Sequence, residues 1–516
     1  MIIEEVKNLR YIGPFFRMNS LTQKEIDGQL FYLSKEAVKS IVLQSRCGLV
    51  SNIKNYNNTS TIDITTNSNF SPLLCVYRKS SPNFIHSKNS NGFDEDTFKK
   101  DINPSTNALM TLCILELSDY YRTFKDIENN NYYLSELYNS LSKEQLEFYS
   151  INLRNAEGVF IDKKNLLESN SKNFNLIDKN KKFKFSDQAY MMLAYYLYAL
   201  KNPNTEVSKA YKEFSLEILK MFETYKENIY SCSLDELCKI LLSFNILYSY
   251  DNLEQLNPLI IDFSDFIMNK FDDKDYYVNS LDICALCSIT LTLSYKHTNI
   301  STFLDKSTEI INKLYTLYDE DKVAFYKLSS KKEIKYSSLD IMMYFLAFVV
   351  YGDVCNKQSE YRIMLSSIYK KFIINSGLIP SWPEAPTLDD YERYRGLSLN
   401  SSDMIDESYF RMPNLPSPES SGITPMFRKS ITYNKKKDSF SSEKSTFDSY
   451  KNFFIFYIII YLFKDNYINE MNLIKNDSNN INSNKNVEQK LNSDTVDNNS
   501  NQNNESNTSN LNCEDI

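Results

Sequence analysis

The acids of this chain, rather than its histidines, are where its chemistry has to be sought. The sequence holds two histidines, too few for a three-histidine metal site. Carboxylates are plentiful and densest in the segment 376–445, which includes SWPEAPTLDDYERYRG and SSDMIDESYFRM. That segment carries the only tryptophan, Trp382, among Glu384, Asp389, Asp390, Arg393, Arg395, Asp406 and Glu407. An indole beside acids and guanidinium groups suits a sugar, which offers an apolar ring face and a rim of hydroxyls. Paired carboxyls can act as general acid and general base when one of them holds its proton. Asp389 and Asp390 are therefore the candidate catalytic acids. Trp382, Glu384, Arg393, Arg395, Asp406 and Glu407 are candidate substrate contacts. The plain structural reading is a solvated loop whose charges pair locally.

Other residues are weighed the same way. Glu157, in Arg154-Asn155-Ala156-Glu157-Gly158, is a further candidate acid, or a polar residue closing a helix end beside a Gly cap. Asp187, Asp235, Asp282, Asp340 and Asp448 recur at the start of apolar runs, where an acid serves the positive end of the helix dipole. Together they could also line a mouth. Cys284 and Cys287 are spaced C-x-x-C, with Cys232 and Cys238 upstream. Their apolar setting and irregular spacing point to core packing rather than zinc. No phosphate loop, dinucleotide fingerprint or nucleophile elbow is present, and no metal or cofactor is expected.

The elements that would hold these residues repeat along the chain. Ser186-Asp187 precedes QAYMMLAYYLYAL, and Ser233-Leu234-Asp235 precedes ELCKILLSFNILY. Ser280-Leu281-Asp282, Ser338-Leu339-Asp340 and Thr446-Phe447-Asp448 open three more apolar runs, and Ser105-Thr106-Asn107 opens a sixth. The hydroxyls predict N-caps, and helices apolar almost all round predict burial. Amphipathic stretches alternate with them near 34–46, 133–153, 205–224, 255–271, 302–317 and 358–375. The first amphipathic helix has no inner partner before it, and the last inner helix has only a stub after it. The two ends complete each other, as a closed ring requires.

This alternation, with its Gly placement and ring closure, resembles the (α/α)6 toroid of six-hairpin glycosidases, sugar epimerases, terpenoid cyclases and lanthionine cyclases. The resemblance covers roughly residues 30 to 465 and extends to architecture alone. It implies six inner and six outer helices with a cleft or funnel on the side of the long links, about 48–104, 154–185, 318–337 and 376–445. Terpenoid cyclase acid motifs are absent, and His86 and His297 fit no cyclase-like zinc motif.

Composition bounds the rest. Nine glycines in 516 residues compare with about 36 at average usage, which argues against turn-rich β folds. Gly48, Gly158, Gly352 and Gly377 fall where left-handed helix ends are expected. Net charge is −8, which argues against a nucleic-acid face. Nine cysteines, an odd number, fit a reducing compartment, and no leader is visible at the start, so a cytoplasmic location is expected. The run Phe453–Phe463 is too short to cross a bilayer, and no membrane contact is expected. Asn occupies 15 of the 41 positions of 476–516, so that stretch buries too little to order. The organisation expected is an extension over 1–30 that packs on the ring, a toroid over 31–465, and a stub followed by a disordered tail over 466–516. Two functions stay open. One is a carbohydrate-active hydrolase or lyase using loop carboxylates. The other is a non-catalytic helical ring that binds a carbohydrate, another small molecule or a protein at the same mouth.

Overall fold

The computed structural model describes residues 22–53, 70–78, 84–87, 90–93, 98–125, 129–166, 174–180, 182–328, 331–384, 424–442 and 447–469. Those up to Asp465 lie in one compact unit, and a second unit holds only 466–469 of the described residues.

Twelve long helices alternate between outer and inner positions among the described residues. They are α1 (Gln23–Gln44), α2 (Pro104–Arg122), α3 (Asn129–Asn152), α4 (Phe185–Lys201), α5 (Glu206–Thr224) and α6 (Leu234–Tyr250). There follow α7 (Leu256–Asp272), α8 (Leu281–Thr298), α9 (Ser301–Thr316), α10 (Ser338–Cys355) and α11 (Gln358–Ile368, continued by a π-helical turn over Tyr369–Ile374). The last, α12, starts at residue 449. The even-numbered helices are the inner ones. In α4 every residue from Ser186 to Ala199 is buried, and in α10 every residue from Ser338 to Gly352. The outer α5 buries only a stripe of Ser208, Ser215, Ile218, Leu219 and Phe222, the spacing of an amphipathic helix on a core. α10 is also long and apolar enough to cross a membrane, and 83% of that stretch is buried inside the protein.

Each inner helix packs on the next, α2 on α4, α4 on α6, α6 on α8 and α8 on α10. α12 completes the circle. The Cys113 thiol of α2 reaches the Phe453 carbonyl, the Tyr190 ring of α4 meets Phe454, and Ser249 of α6 bonds the Tyr461 hydroxyl at 3.0 Å. Outside, α1 lies against both α11 and α2. The fold is an (α/α)6 toroid. α1 starts well before the expected 34, because Thr22 and Glu25 form a reciprocal capping box, with the Thr22 N–H on Glu25 at 2.6 Å, a motif legible as T-x-x-E.

The capping pattern is partly shifted from expectation. Ser233 caps α6 by accepting the Glu236 N–H. At α10 the cap is Ser337, in a box with Asp340, so Ser338 lies inside the first turn. At α2 the cap is Asn103, and at α4 the backbone turns at Lys184 with no side-chain cap. The left-handed ends of α8 and α10 are Asn299 and Asn356, so Gly352 stays helical. Gly158 and Gly377 are left-handed as expected, with φ of 84° and 73°. Gly48 serves close approach instead, because a Cβ there would sit 1.7 Å from the Cys75 carbonyl oxygen.

Links from inner to outer helices span only a few residues, such as 299–300 and 356–357, whereas four of the outer-to-inner links are long. Every described strand lies in those long links. β1 (Gly48–Val50) pairs with β2 (Leu73–Val76), and β3 (Phe84–Ser87) with β4 (Ser90–Phe93). β5 (Asp101–Ile102), β6 (Lys163–Asn165) and β7 (Leu176–Asp178) form a small sheet, and β8 (Tyr318–Asp319) pairs with β9 (Ala324–Phe325). β10 (Glu333–Ser337), β11 (Ser430–Asn434) and β12 (Ser439–Ser442) join two links antiparallel.

Three inner helices grip these links in the same way. Asn107 of α2 accepts the Val76 N–H at 2.8 Å and donates to the Val76 carbonyl at 3.2 Å. Gln188 of α4 does this to Phe160, at 3.0 and 2.8 Å. Asn452 of α12 does it to Phe427, at 2.8 and 3.0 Å. A carboxamide offers one acceptor and one donor side by side, which matches a peptide unit's need. Each amide lies one turn into its helix, so the rigid inner wall fixes the loop. α6 and α8, whose preceding links are short, carry Leu237 and Cys284 one turn in instead.

The opposite ends of the inner helices are tied by buried charges. Glu116 of α2 is 0% exposed and bonds Lys464 of α12 at 2.6 Å, Lys201 of α4 at 3.4 Å and the Tyr250 hydroxyl of α6 at 2.6 Å. Asp119 completes the network through Lys201. Burial opposes the charge of Glu116, but the two ammonium groups outweigh it and hold the carboxyl at about 2.

Candidate functional site

The N-terminal ends of the inner helices converge on the face that carries the long links. There the recurrent acids differ in environment, and link length explains why. Asp187 and Asp340 stand beneath long links and are each 3% exposed. Asp187 is spent on Ser105, accepting its hydroxyl and, at 3.2 Å, its N–H. Burial pushes the Asp187 carboxyl up to about 6 against those bonds. Asp340 is spent on the α10 capping box and on Lys327 at 2.8 Å. α6 and α8 have short preceding links, 225–233, which holds the short helix Lys226–Tyr230, and 273–280. Asp235 is half-exposed and held by Lys239 at 2.5 Å. Lys239 in turn lies 5.2 Å from the Tyr450 ring centre.

Among the described residues Asp282, Asp448 and Lys451 at this mouth make no side-chain ion pair. Asp282, half-buried at the start of α8, accepts only the neighbouring Ile283 N–H at 3.1 Å. Lys451, half-buried in the first turn of α12, uses its backbone N–H on Asp448 at 3.1 Å. Its ammonium makes no hydrogen bond or ion pair there. Asp282 and Lys451 are close enough for each to feel the other's charge. Burial pushes the Asp282 carboxyl up to about 6, reinforced by the negative charges of Asp340 and Asp235 and opposed by Lys451 and Lys327. Burial pulls the Lys451 ammonium below its ordinary range, with Asp448, Asp282 and Asp340 opposing and Lys429 assisting. Burial thus favours the neutral form of both groups, the acid by holding its proton and the amine by releasing it.

The acids and contacts expected from the sequence are distributed differently. Asp389, Asp390, Arg393, Arg395, Asp406 and Glu407 lie outside the described residues. Trp382 is 3% exposed, so its ring is a packing element, and its Nε1 has no hydrogen-bond partner among the described residues. Glu384 is exposed, and its carbonyl accepts the Tyr32 hydroxyl of α1 at 2.7 Å. Glu157 is exposed on a turn, with its N–H on the Asn155 side chain at 3.0 Å. None of these three hydrogen-bonds or ion-pairs with Asp282 among the described residues.

No described cluster of three His, Cys, Asp or Glu could hold a metal ion. Cys238, Cys284 and Cys287 are buried free thiols, and burial pushes the Cys284 and Cys287 thiols up. His297 lies edge-on to Tyr248 at 5.2 Å, and burial pulls it down to about 4. Lys451 is the residue that sequence reasoning missed. The available signal was a basic residue three positions after Asp448, at the head of the apolar run that starts at Phe453.

No family model matches the chain, and no curated protein is similar to it in sequence. Among solved structures, a cellobiose 2-epimerase from Bacillus thermoamylovorans is similar at 10% identity and a TM-score of 0.44, over 71% of this chain and 89% of that one. A D-mannose isomerase is similar at 9% and 0.40, over 70% and 87%. An endoglucanase from the termite Nasutitermes takasagoensis is similar at 10% and 0.46, over 86% and 99%. The fold stands on the helix contacts described above, and these likenesses assign no reaction.

Proposed function

We propose that the mouth of the ring is a carbohydrate-processing site in which Asp282 takes up and gives back a proton beside Lys451. The observation that carries this is their isolation. The neighbouring acids Asp187, Asp235 and Asp340 are each committed to a side-chain partner, while among the described residues Asp282 and Asp448 accept only backbone N–H groups and the Lys451 ammonium has no ion pair. Carbohydrate as the ligand class comes from analogy with other six-hairpin folds, an associational warrant. A second carboxyl for hydrolysis would come from Asp389 or Asp390 in the segment between Glu384 and Thr424. The test is a panel of oligosaccharides and free aldoses assayed for hydrolysis, elimination and isomerisation. Replacing Asp282 with Asn is expected to lower turnover by about 10²- to 10⁴-fold at an unchanged fold. Turnover that survives D282N removes Asp282 from the reaction. Turnover that survives substitution of Asp389 and Asp390 by Ala removes the loop acids. Saturable sugar binding with no turnover on any substrate favours a binding ring instead.

A further inference from the structure

The long link between α3 and α4 gathers apolar side chains at the surface. Among the described residues ten large apolar side chains are exposed, and five of them, Ile151, Leu166, Phe174, Ile177 and Phe183, fall within residues 151–183. A concentration of that kind marks a contact surface. We propose that this link is a peripheral docking patch for an anionic phospholipid surface. Its apolar side chains enter the headgroup boundary while its lysines meet the lipid phosphates. The inference is independent of the carbohydrate reading of the mouth.

The β5–β6–β7 sheet presents the patch. Side chains alternate across a strand, so Ile102, Lys163 and Asn165 are turned inward and buried, while Lys164 and Leu166 are exposed on the other face. The register sets Ile177 directly opposite Lys164. The Leu166 N–H meets the Asn175 carbonyl at 3.0 Å and carries the pairing to the end of the hairpin. Phe174 stands there and packs on Phe148 of α3, with ring centres 5.4 Å apart, one turn before Ile151, which is 78% exposed. Phe183 meets Phe185, the first residue of α4, at 5.1 Å. The frame is rigid, because Lys163 bonds the Arg154 carbonyl at 2.9 Å and Lys179 bonds Asp101 at 2.6 Å.

Charge selects the occupant. Lys99, Lys164, Lys182 and Lys184 are exposed and make no ion pair among the described residues. The acids beside them are engaged, Asp101 with Lys179, Asp178 with Lys163 and Asp162 with the Asn103 side chain. A chain of net charge −8 thus turns a basic, apolar face outward here. Lysines interleaved with apolar side chains suit a bilayer, where the stems lie along apolar surface and the ammonium groups reach anionic headgroups. The core of a protein interface is depleted of lysine, and a second copy would set like charges against each other. A soluble polyanion would gain nothing from Leu166 or Phe174. Such a patch lies in the interface and needs no spanning helix, whereas the sequence expectation of no membrane contact rested on span length.

The test is flotation of the full chain with vesicles of phosphatidylcholine alone, or of phosphatidylcholine with about one-third phosphatidylserine. The expected result is binding to the anionic vesicles alone, weakening as salt rises. K164E/K182E and L166S/F174S should each lower vesicle affinity about tenfold or more. K436E/K437E, the same charge change on the exposed β11–β12 turn, should leave it unchanged. All these positions are exposed, and thermal scans check that each variant folds. In F174W the new indole should shift its emission to the blue on anionic vesicles, against the buried Trp382. No binding to anionic vesicles overturns the proposal. Equal weakening by K436E/K437E overturns it in favour of diffuse charge attraction. Binding that ignores L166S/F174S and is matched by heparin overturns it in favour of a soluble polyanion. Self-association without vesicles that L166S/F174S abolishes overturns it in favour of contact between two copies.

Discussion

A carboxyl that titrates near 6 in the folded chain has a thermodynamic cost, and Asp282 makes that cost measurable. Its folded value lies above the ordinary 3.8, so folding favours its protonated form. Stability from this residue is present below about 4 and is lost as pH rises through about 6. D282N should therefore melt with the wild type at pH 4 and above it at pH 7.5, even as activity falls, in thermal scans at the two pH values. A variant less stable at pH 7.5 would show that the carboxylate is held by bonds rather than strained. Glu116 has the opposite sign. Its folded value near 2 lies below the ordinary 4.5, so its contribution is present above 4.5 and is lost as pH falls towards 2. E116Q leaves Lys201 and Lys464 short of a countercharge in a buried site, at a cost of about 3–5 kcal/mol, to be read by denaturant unfolding at pH 7. Residues of this kind are poorly legible in sequence. The recurrence of acids at helix starts was visible, but which of them lack a side-chain partner depends on Lys239 and Lys327, and on a lysine more than 160 positions away from Asp282 in the chain.

Among the elements, the helices were legible and their link contacts were not. Alternating apolar and amphipathic runs located the inner and outer helices to within a few residues, apart from the start of α1. Periodicity carries that information because burial on all sides or on one stripe leaves a direct imprint on composition. The carboxamides one turn into α2, α4 and α12 left no such imprint, since a single Asn or Gln inside an apolar run has no period. They have a clear energetic signature nonetheless. N107L or Q188L strands a buried N–H and C=O pair on the link, so each should cost about 1–3 kcal/mol. Hydrogen exchange should reveal local loss of protection at Val76 or Phe160. Unchanged protection there would show that the strands hold the links unaided. G48A is expected to open the β1–β2 pair, because the Cys75 carbonyl occupies the space that a methyl group needs.

For the whole molecule, closure is the property that separates this chain from an open helical array. An array loses stability in increments as end repeats are removed. A ring that loses α12 exposes the inner faces of α2, α4 and α6 together and leaves Glu116 without Lys464. Truncation at residue 445 should therefore abolish cooperative unfolding in a thermal scan, whereas truncation at residue 475, which removes only the Asn-rich stretch, should leave the transition in place. Closure was legible from the unpaired first and last helices. What the mouth holds was not, because the segment richest in candidate acids has no regular pattern to place it.

The late position of α12 also bears on how the chain is made. The Cys113 thiol and the Phe453 carbonyl that meet in the finished ring are 340 residues apart. At about 5–20 residues per second, a ribosome takes on the order of tens of seconds to travel between them. Throughout that interval the first inner helix has a vacant apolar flank beside it, and so do α4 and α6 once they emerge. The nascent chain must shelter that seam, by transient collapse or on a chaperone, until its final helix arrives.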